Sequence, residues 1–241
     1  MNIAAQIRKK IKNIPESEPF GYADLDIALA DFITAAKAIE RLQKKGEIKK
    51  VSKGIFYRPE ISVFGAMPPK YDLILKNYLF KNGKRAGYIT GFKLYNQLSL
   101  TTQMAFKTKV ATNRPLKKIE ISWLKVDAVK AYVEVTDDNY ILLGYLDVLK
   151  DIKNIPDSSP DNALYILIPK LKKLKSVELN NLIQNAFEYP PRVRALLGAI
   201  LEIHFSTNKN IEKLKKSINP TTKYKIRLDK NLPNKLNWNI K

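Results

Sequence analysis

The side chains of this sequence that could do chemistry are mainly cations, and several of them share one short predicted helix. Apolar residues recur every three or four positions along its buried face: Ala35, Ala38, Ile39 and Leu42. Charged residues fall on the opposite face: Lys37, Glu40, Arg41 and Lys44. A cationic helix face can contact the phosphates and base edges of nucleic acid, or it can simply be solvated. The neighbouring elements decide between these interpretations.

A basic hairpin is predicted directly after this helix. Thr34 is the expected N-cap and Gly46 the expected end of the helix, because glycine adopts the left-handed backbone conformation without a steric penalty. Two short apolar runs, 48–51 and 55–58, then predict strands joined by a turn at 52–54. Lysines lie on the near strand and at the tip: Lys49, Lys50 and Lys53. The hairpin therefore places a second group of cations beside the first.

Two further helices are predicted upstream. Residues 3–14 have helical spacing and are followed by Pro15, and a second short helix is expected near residues 23–29. Three helices and a basic hairpin within about 60 residues are typical of a winged helix-turn-helix, whose third helix enters the DNA major groove while the hairpin forms the wing. The same order of elements also occurs in protein-binding modules, but cations on both helix and wing favour DNA.

The charge balance points to a polyanionic partner. The net charge is +20, with 43 lysines and arginines against 23 aspartates and glutamates. Residues 1–64 hold 12 basic and 8 acidic side chains, a net of +4, and residues 65–241 hold 31 and 15, a net of +16. Nucleic acid and anionic lipid would both attract such a chain. With no apolar run near the ~18 residues of a membrane span, and no signal-peptide core at the start, we expect a soluble cytoplasmic protein without a membrane partner.

The rest of the chain predicts a second domain. A linker is expected at residues 65–70, because glycine and proline cluster around it, and an α+β domain at residues 71–241. Strict alternation at 117–124 and 131–135 predicts two strands of a small antiparallel sheet. Helical spacing resumes at Tyr140 and dominates the C-terminal region. The tail after residue 229 is expected to fray.

Signatures of an enzyme were sought and are mostly missing. His204 is the single histidine and there is no cysteine, so paired-histidine and thiolate metal sites are excluded. The sequence contains no GxSxG nucleophile elbow and no GxxxxGK[ST] phosphate loop. The single Glu-x-Lys of the type found in metal-dependent nucleases, Glu47-Ile48-Lys49, lies in the predicted wing. We therefore expect no catalytic residues, no metal and no cofactor.

Four short segments are distinctive. They are Leu42-Gln-Lys-Lys-Gly-Glu-Ile48, Gly54-Ile-Phe-Tyr-Arg-Pro59, Leu100-Thr-Thr-Gln103 and Ala111-Thr-Asn113. With the order of the N-terminal helices, they make residues 3–135 resemble the AbiEi-type antitoxins of bacterial type IV toxin-antitoxin systems, some of which act in abortive phage infection. Thr101, Thr102, Gln103, Thr112 and Asn113 would then form a motif of the antitoxin domain. Judged locally, such residues are more often turns and helix ends satisfied by side chains.

The resemblance implies a division of labour. The winged helix would bind repeats in its own promoter, and the second domain would counter a nucleotidyltransferase-like toxin encoded beside it, without a stable complex between the two. The residues implied to face DNA are Thr34, Lys37, Glu40, Arg41 and Lys44 on the third helix, and Lys50, Ser52 and Lys53 on the wing. Glu40 would repel phosphate, but its carboxylate could accept a hydrogen bond from a cytosine amino group.

The expected protein is thus an α+β chain with an N-terminal winged helix-turn-helix at residues 1–64, acting as a transcriptional repressor and antitoxin without enzymatic activity. Winged helices often bind as dimers, so a homodimer on DNA is a further expectation. Two alternatives stay open: a winged-helix regulator whose second domain senses a ligand or dimerises, and a DNA-modifying enzyme. An adjacent nucleotidyltransferase gene would favour the antitoxin, and metal-dependent nicking of plasmid DNA would favour the enzyme.

Overall fold

Helices and short antiparallel strands alternate along the computed structural model, which describes residues 3–81, 83–114, 119–121, 124–206 and 208–241. The chain is a mixed α+β protein with small antiparallel sheets and several helices, so this level of the prediction is confirmed. The chain divides into two units. Unit 1 consists of Met1–Tyr78 and Lys118–Lys125, and unit 2 consists of Leu79–Lys117 and Val126–Lys241.

Unit 1 begins with a helix, a strand and two short turns of 3-10 helix. Its elements in order are α1 (Ile3–Asn13), β1 (Pro19–Gly21), the 3-10 helices Tyr22–Leu25 and Leu29–Asp31, α2 (Phe32–Lys44), β2 (Lys49–Ser52), β3 (Ile55–Tyr57), β4 (Ile61–Ser62), β5 (Gly65–Ala66) and α3 (Tyr71–Leu79). Strands β1, β3 and β2 form an antiparallel sheet in that order. Strands β4 and β5 form a separate hairpin.

The core of unit 1 is built from the apolar faces that the sequence predicts. Helices α1 and α2 pack against each other, and the side chains that fill the space between them and the sheet include Ile7, Ile11, Ala35, Ile39 and Leu42. Phe20 of β1 lies opposite Phe56 of β3, with ring centroids 6.1 Å apart. Burying these faces leaves the opposite side of α2 to solvent.

Two local predictions for unit 1 are wrong. The second helix expected near residues 23–29 is instead two single 3-10 turns, because Asp26 adopts a left-handed conformation (φ 45°) that a continuous helix cannot contain. Thr34 is not an N-cap, since α2 already begins at Phe32 and its N-cap is Asp31. Thr34 is instead an exposed residue in the first turn of the helix.

Unit 2 holds most of the remaining strands and the C-terminal helices. Its elements are β6 (Phe80–Lys81), β7 (Lys84–Arg85), β8 (Gly87–Thr90), α4 (Phe92–Gln97), β9 (Lys107–Thr112), α5 (Tyr140–Asp151), α6 (Pro160–Lys172), α7 (Ser176–Ala186), α8 (Pro191–His204), α9 (Asn210–Lys216) and the 3-10 helix Lys235–Trp238. Between β9 and α5 the chain forms β10 (Ile119–Ile121) and β11 (Leu124–Lys130). β10 and the first two residues of β11 belong to unit 1, and within unit 2 the strand order is β11-β9-β8.

Unit 2 is organised around its helices. Helix α5 packs on β8 and against α7 and α8, and α8 packs against α9. The side chains buried at these contacts include Leu143, Leu146, Leu182, Leu196 and Leu201. A large apolar core of this kind supports the cavity described below.

Two predictions for unit 2 also need correction. Residues 131–135 are not a strand, because the chain leaves the sheet after Lys130 and places the ring of Tyr132 against Tyr189. The other predicted strand, 117–124, lies mostly in unit 1: residues 119–121 are β10 and Leu124 begins β11, whereas residues 117, 118, 122 and 123 lie outside the described residues. The tail after residue 229 is packed rather than frayed, since Leu232 and Trp238 are buried.

The predicted domain limits stay predictions. The expected linker, 65–70, contains strand β5, and α3 belongs mainly to unit 1, whose first segment ends at Tyr78.

His204 at the end of α8 gives a pH dependence that can be isolated. Burial, with the charge of Lys172, holds the pKa of His204 below its ordinary value of 6.5. As pH falls, His204 is therefore protonated in the unfolded chain before it is protonated in the folded protein. The free energy of unfolding should decrease as pH drops through about 6.5. Because His204 is the one histidine, His204→Gln should flatten the change in urea midpoint between about pH 7.5 and 5.5. An equally steep change in the variant would assign the effect to other groups.

Candidate functional site

The exposed face of α2 ends at a well-defined helix terminus. Gly46 has φ +74°, and the N–H groups of Gly46 and Glu47 donate to the carbonyls of Gln43 (2.9 Å) and Leu42 (3.0 Å). This pair of bonds is a Schellman motif, so the predicted role of Gly46 is confirmed. The chain then turns directly into β2.

Several cations of unit 1 are used to hold the unit together. Arg8 of α1 makes two hydrogen bonds to the carboxylate of Glu47, at 2.8 and 3.2 Å. Lys10 donates to the carbonyl of Leu25 at 2.8 Å. Arg58 donates to the carbonyl of Ile14 at 2.7 Å, which satisfies the end of α1. These side chains have a structural use and are poor candidates for binding a partner.

A second group of cations has no such use. Within the described residues, the side chains of Lys37, Arg41, Lys50 and Lys53 form no hydrogen bond or ion pair, and all four are exposed. Lys37 and Arg41 lie one turn apart on α2, and Lys53 lies in the two-residue turn of the β2–β3 hairpin, where Gly54 has φ +79°. Ser52 is half-buried at the end of β2. The helix and the hairpin thus each present unpaired positive charge.

Glu40 and Lys44 form a pair on the same helix face. Their carboxylate and ammonium groups are 2.9 Å apart at the i,i+4 spacing. The hydrogen bond and charge of Lys44 hold the pKa of Glu40 below its ordinary value. The pair is exposed, so its contribution to stability is small, and its main effect is to occupy Lys44 in the absence of a partner.

The predicted antitoxin motif is split between two turns of unit 2. Thr101 is buried and its hydroxyl accepts from the N–H of Gln103 at 3.2 Å, while Thr102 and Gln103 are exposed. At the far end of β9, Thr112 donates to the carbonyl of Ala86 at 2.6 Å, and Asn113 donates to that of Ala131 at 3.2 Å. The first group precedes β9, whereas Thr112 is the last residue of that strand and Asn113 follows it. These contacts fit the local interpretation of turns satisfied by side chains.

A buried carboxylate organises the polar interior of unit 2. Asp147 of α5 is 2 % exposed, and one of its oxygens accepts from Thr90 (2.6 Å) and Tyr88 (2.9 Å). The other oxygen accepts from Lys150 at 2.9 Å and lies 3.4 Å from the hydroxyl of Tyr189. A buried charge with this many partners fixes the position of every group that contacts it.

The ionisation of these partners is set by the same network. Burial, together with the charge of Asp147, raises the pKa of Tyr88 and of Tyr189, so both hydroxyls stay protonated. Burial alone would lower the pKa of Lys150, but the charges of Asp147 and Asp151 outweigh it and raise that pKa. Burial and Asp151, whose carboxylate accepts from Tyr95 at 2.7 Å, likewise raise the pKa of Tyr95. Lys150 therefore remains a fixed cation.

Lys150 faces a cavity of about 750 Å³ in unit 2. The cavity lies where β8, β9, the end of β11, α4 and α5 meet, and Thr90 and Lys109 face each other across the β8–β9 pairing at its wall. Small-ligand pockets usually have volumes of about 300–1,000 Å³, so the cavity has the size of a ligand site. In the part of the chain that the structure describes, no group of three or more His, Cys, Asp or Glu side chains is placed to hold a metal.

The comparison with protein families covers both units. A model described as a family of unknown function, DUF6088, matches residues 6–155, which is more than half of the chain. The chain belongs to the DUF6088 family. The matched range of this DUF6088 chain contains α2, the β2–β3 hairpin and every residue that lines the cavity.

Other comparisons add little to the family. No curated protein matches the sequence of this DUF6088 chain significantly. A solved structure titled as the crystal structure of the Rv2827c protein from Mycobacterium tuberculosis is similar with a TM-score of 0.49 and 10% identity, covering 98% of this chain and 90% of the other. Among the described residues of the DUF6088 chain, no helix is long and apolar enough to cross a membrane.

Sequence reasoning missed the cavity of the DUF6088 chain, although one signal for it was present. Asp147 lies four residues after Leu143 on the buried face of α5, in a run that is otherwise almost wholly apolar. A carboxylate at such a position must find partners, which marks it as the centre of a polar site. Lys109, Lys130 and Tyr132 carry no comparable signal, because exposed strand and loop residues of these types are common.

Proposed function

We propose that this protein is a DNA-binding transcriptional repressor whose unit 1 is a winged helix-turn-helix. The observation that carries the proposal is the sheet order β1-β3-β2 beside α2, with unpaired cations on both α2 and the β2–β3 hairpin. In a winged helix the third helix, which corresponds to α2 here, enters the DNA major groove, and the hairpin contacts the DNA backbone. Both elements therefore need positive charge. The proposed contacts are Thr34, Lys37, Glu40, Arg41 and Lys44 on α2, and Lys50, Ser52 and Lys53 on the hairpin.

The proposed partners follow the sequence resemblance. The DNA would be repeats in the protein's own promoter, bound in the cytoplasm, and the regulated pair would include a nucleotidyltransferase-like toxin that this protein counters without a stable complex. The turns at Thr101–Gln103 and Thr112–Asn113 support the fold of unit 2 and offer no direct support for the antitoxin role. The role predicts that a nucleotidyltransferase-like gene whose expression arrests growth lies beside this one. Co-expression of this protein should then restore growth, and continued arrest would refute the role.

The test of DNA binding is a titration of the full chain against its own upstream DNA and a scrambled duplex at several salt concentrations. A repressor should prefer the upstream DNA, and binding to both should weaken as salt rises. Equal affinity for the two duplexes would refute a sequence-specific repressor and leave only general polyanion binding by the excess of basic residues.

Replacing Lys53 with alanine should change the salt dependence. The side chain lies at the tip of the hairpin and has no partner in the described residues, so in the complex it should contact a phosphate. Lys53→Ala should weaken binding to both duplexes and lower the slope of log K against log salt by about 1. Lys9→Ala removes the same charge from the exposed side of α1 and should leave the slope nearly unchanged. A Lys53→Ala slope equal to that of the parent would remove the hairpin from the interface.

The cavity of unit 2 favours a second candidate, a winged-helix regulator whose second domain senses a ligand. The cavity has a volume of about 750 Å³ and a fixed cation, Lys150, at its wall. Both features are typical of a ligand site rather than of a packing defect. A ligand that changes the affinity of the protein for its upstream DNA would support this candidate. A ligand-sensing second domain is compatible with the proposed repressor function.

A further inference from the structure

The wall of the cavity carries an excess of positive charge. Lys109, Lys130 and Lys150 line it, against the single carboxylate of Asp151. Lys150 is held by Asp147 at 2.9 Å and by Asp151 at 3.6 Å. Even with buried Asp147 counted, one positive charge is left over.

Two of these lysines have no partner within the protein. In the described part of the chain, the ammonium groups of Lys109 and Lys130 form no hydrogen bond or ion pair, and both side chains are exposed. The nearby Lys107 behaves differently, because it pairs with Asp127. Ammonium groups that have no protein partner can donate charge-assisted hydrogen bonds to a phosphate group, which accepts several at once.

The rim of the cavity is aromatic. Tyr132 exposes 43 % of its surface while one side of its ring stacks on Tyr189, with centroids 4.3 Å apart. Phe92 exposes 48 % of its surface and makes a T-shaped contact with Tyr95, with ring centroids 6.2 Å apart. Both rings are held by a neighbouring ring and line the cavity, and the ammonium group of Lys150 lies 5.5 Å from the centroid of the Tyr132 ring. Aromatic rings of this kind stack on nucleobases, and any of the bases can stack because each has a π face.

We propose that this cavity binds a nucleoside phosphate. The phosphates lie against Lys109, Lys130 and Lys150, and the base packs on the exposed rings of Phe92 and Tyr132. The hydrogen bonds that Asp147 accepts from Thr90 and Lys150 hold Lys150 in place before the ligand arrives. The assignment rests on unit 2 alone and does not depend on DNA binding by unit 1.

The test is calorimetric titration of the full chain with each of the four ribonucleoside triphosphates, with the free nucleosides, and with inorganic tripolyphosphate. At least one triphosphate should bind, its nucleoside should not, and tripolyphosphate should bind more weakly than the triphosphate. The double variant Lys109→Gln/Lys130→Gln should lose about tenfold or more in triphosphate affinity. Lys216→Gln, which removes an unpaired exposed lysine at the end of α9, should lose almost nothing.

A second variant separates the base from the phosphates. Phe92→Ala/Tyr132→Ala should weaken binding of the triphosphate and leave the affinity for tripolyphosphate unchanged. Melting temperatures close to that of the parent would show that each variant is folded. Absence of binding by every triphosphate up to about 1 mM would overturn the proposal. A loss of triphosphate affinity in Lys216→Gln as large as that in Lys109→Gln/Lys130→Gln would also overturn it. Arg41→Ala should leave the triphosphate affinity unchanged, so failure of this proposal and failure of the DNA proposal give different results.

Discussion

Arg41→Ala should weaken binding of the full chain to its upstream DNA by about 1–3 kcal/mol while changing its affinity for scrambled DNA much less. Arg41 lies in the middle of the exposed face of α2, and among the described residues its guanidinium makes no hydrogen bond or ion pair that would be lost with it. An arginine at that position of a groove-entering helix can donate two hydrogen bonds to the edge of a guanine. The free energy lost should therefore depend on sequence.

Two control variants separate base reading from charge. Arg41→Lys keeps the positive charge but loses the planar fork, so it should lose most of the discrimination between the duplexes and retain most of the general affinity. Lys9→Ala removes one positive charge from α1 of unit 1. It should weaken binding to both duplexes slightly and by the same factor. An equal loss on upstream and scrambled DNA in Arg41→Ala would make Arg41 a phosphate contact, and specificity would then reside elsewhere.

The exposed surface of α2 could be predicted because its signals are local. The spacing of Ala35, Ala38, Ile39 and Leu42 fixes which face is buried, and Gly46 fixes where the helix ends. These features depend on residues within one or two turns of each other. The predicted start of α2 is three residues too late, because Thr34 has the chemistry of an N-cap while Phe32 and Ile33 do not prevent a helix from starting earlier.

The division of the basic residues could not be predicted. Arg8 and Arg58 look as available in the sequence as Arg41, yet they bind Glu47 and the end of α1 across 39 and 44 positions of sequence. The cavity of unit 2 depends on similarly distant contacts, such as that between Thr90 and Asp147, 57 positions apart. Pairings of this kind follow from the packing of whole elements, so only the structure reveals which charges are free.

The C-terminal segment illustrates the same limit. Its many lysines and asparagines suggest a solvated tail, yet it is anchored by Trp238, which is fully buried and donates to the carboxylate of Glu202 at 3.0 Å. Asp161 fixes the same segment, because its carboxylate accepts from the backbone N–H groups of Asp229 (2.7 Å) and Asn231 (3.0 Å). A few anchoring residues are enough to order a polar segment. The average composition of the segment does not reveal which residues these are.

Gly198→Ala should destabilise the protein by about 3 kcal/mol, because Trp238 packs directly on the backbone of α8 at this glycine. A Cβ atom at position 198 would lie 2.1 Å from Cζ3 of the Trp238 ring, which no real contact allows. The helix backbone is held by α5 and α9, so the indole would have to leave its site and lose its burial. This cost exceeds the ~1 kcal/mol that alanine gains over glycine inside a helix.

Gly144→Ala in α5 is the matched control, since a Cβ atom there would lie 3.4 Å from a terminal methyl group of Leu94, an ordinary contact with a flexible side chain. It should be neutral or stabilise by up to about 1 kcal/mol. Urea unfolding monitored by circular dichroism measures both, and the tryptophan emission of folded Gly198→Ala should shift to longer wavelength as Trp238 becomes hydrated. Equal stability of the two variants would mean that the C-terminal segment does not dock on α8 in solution. A large difference would instead show that Trp238 docks on α8 as part of the core of unit 2.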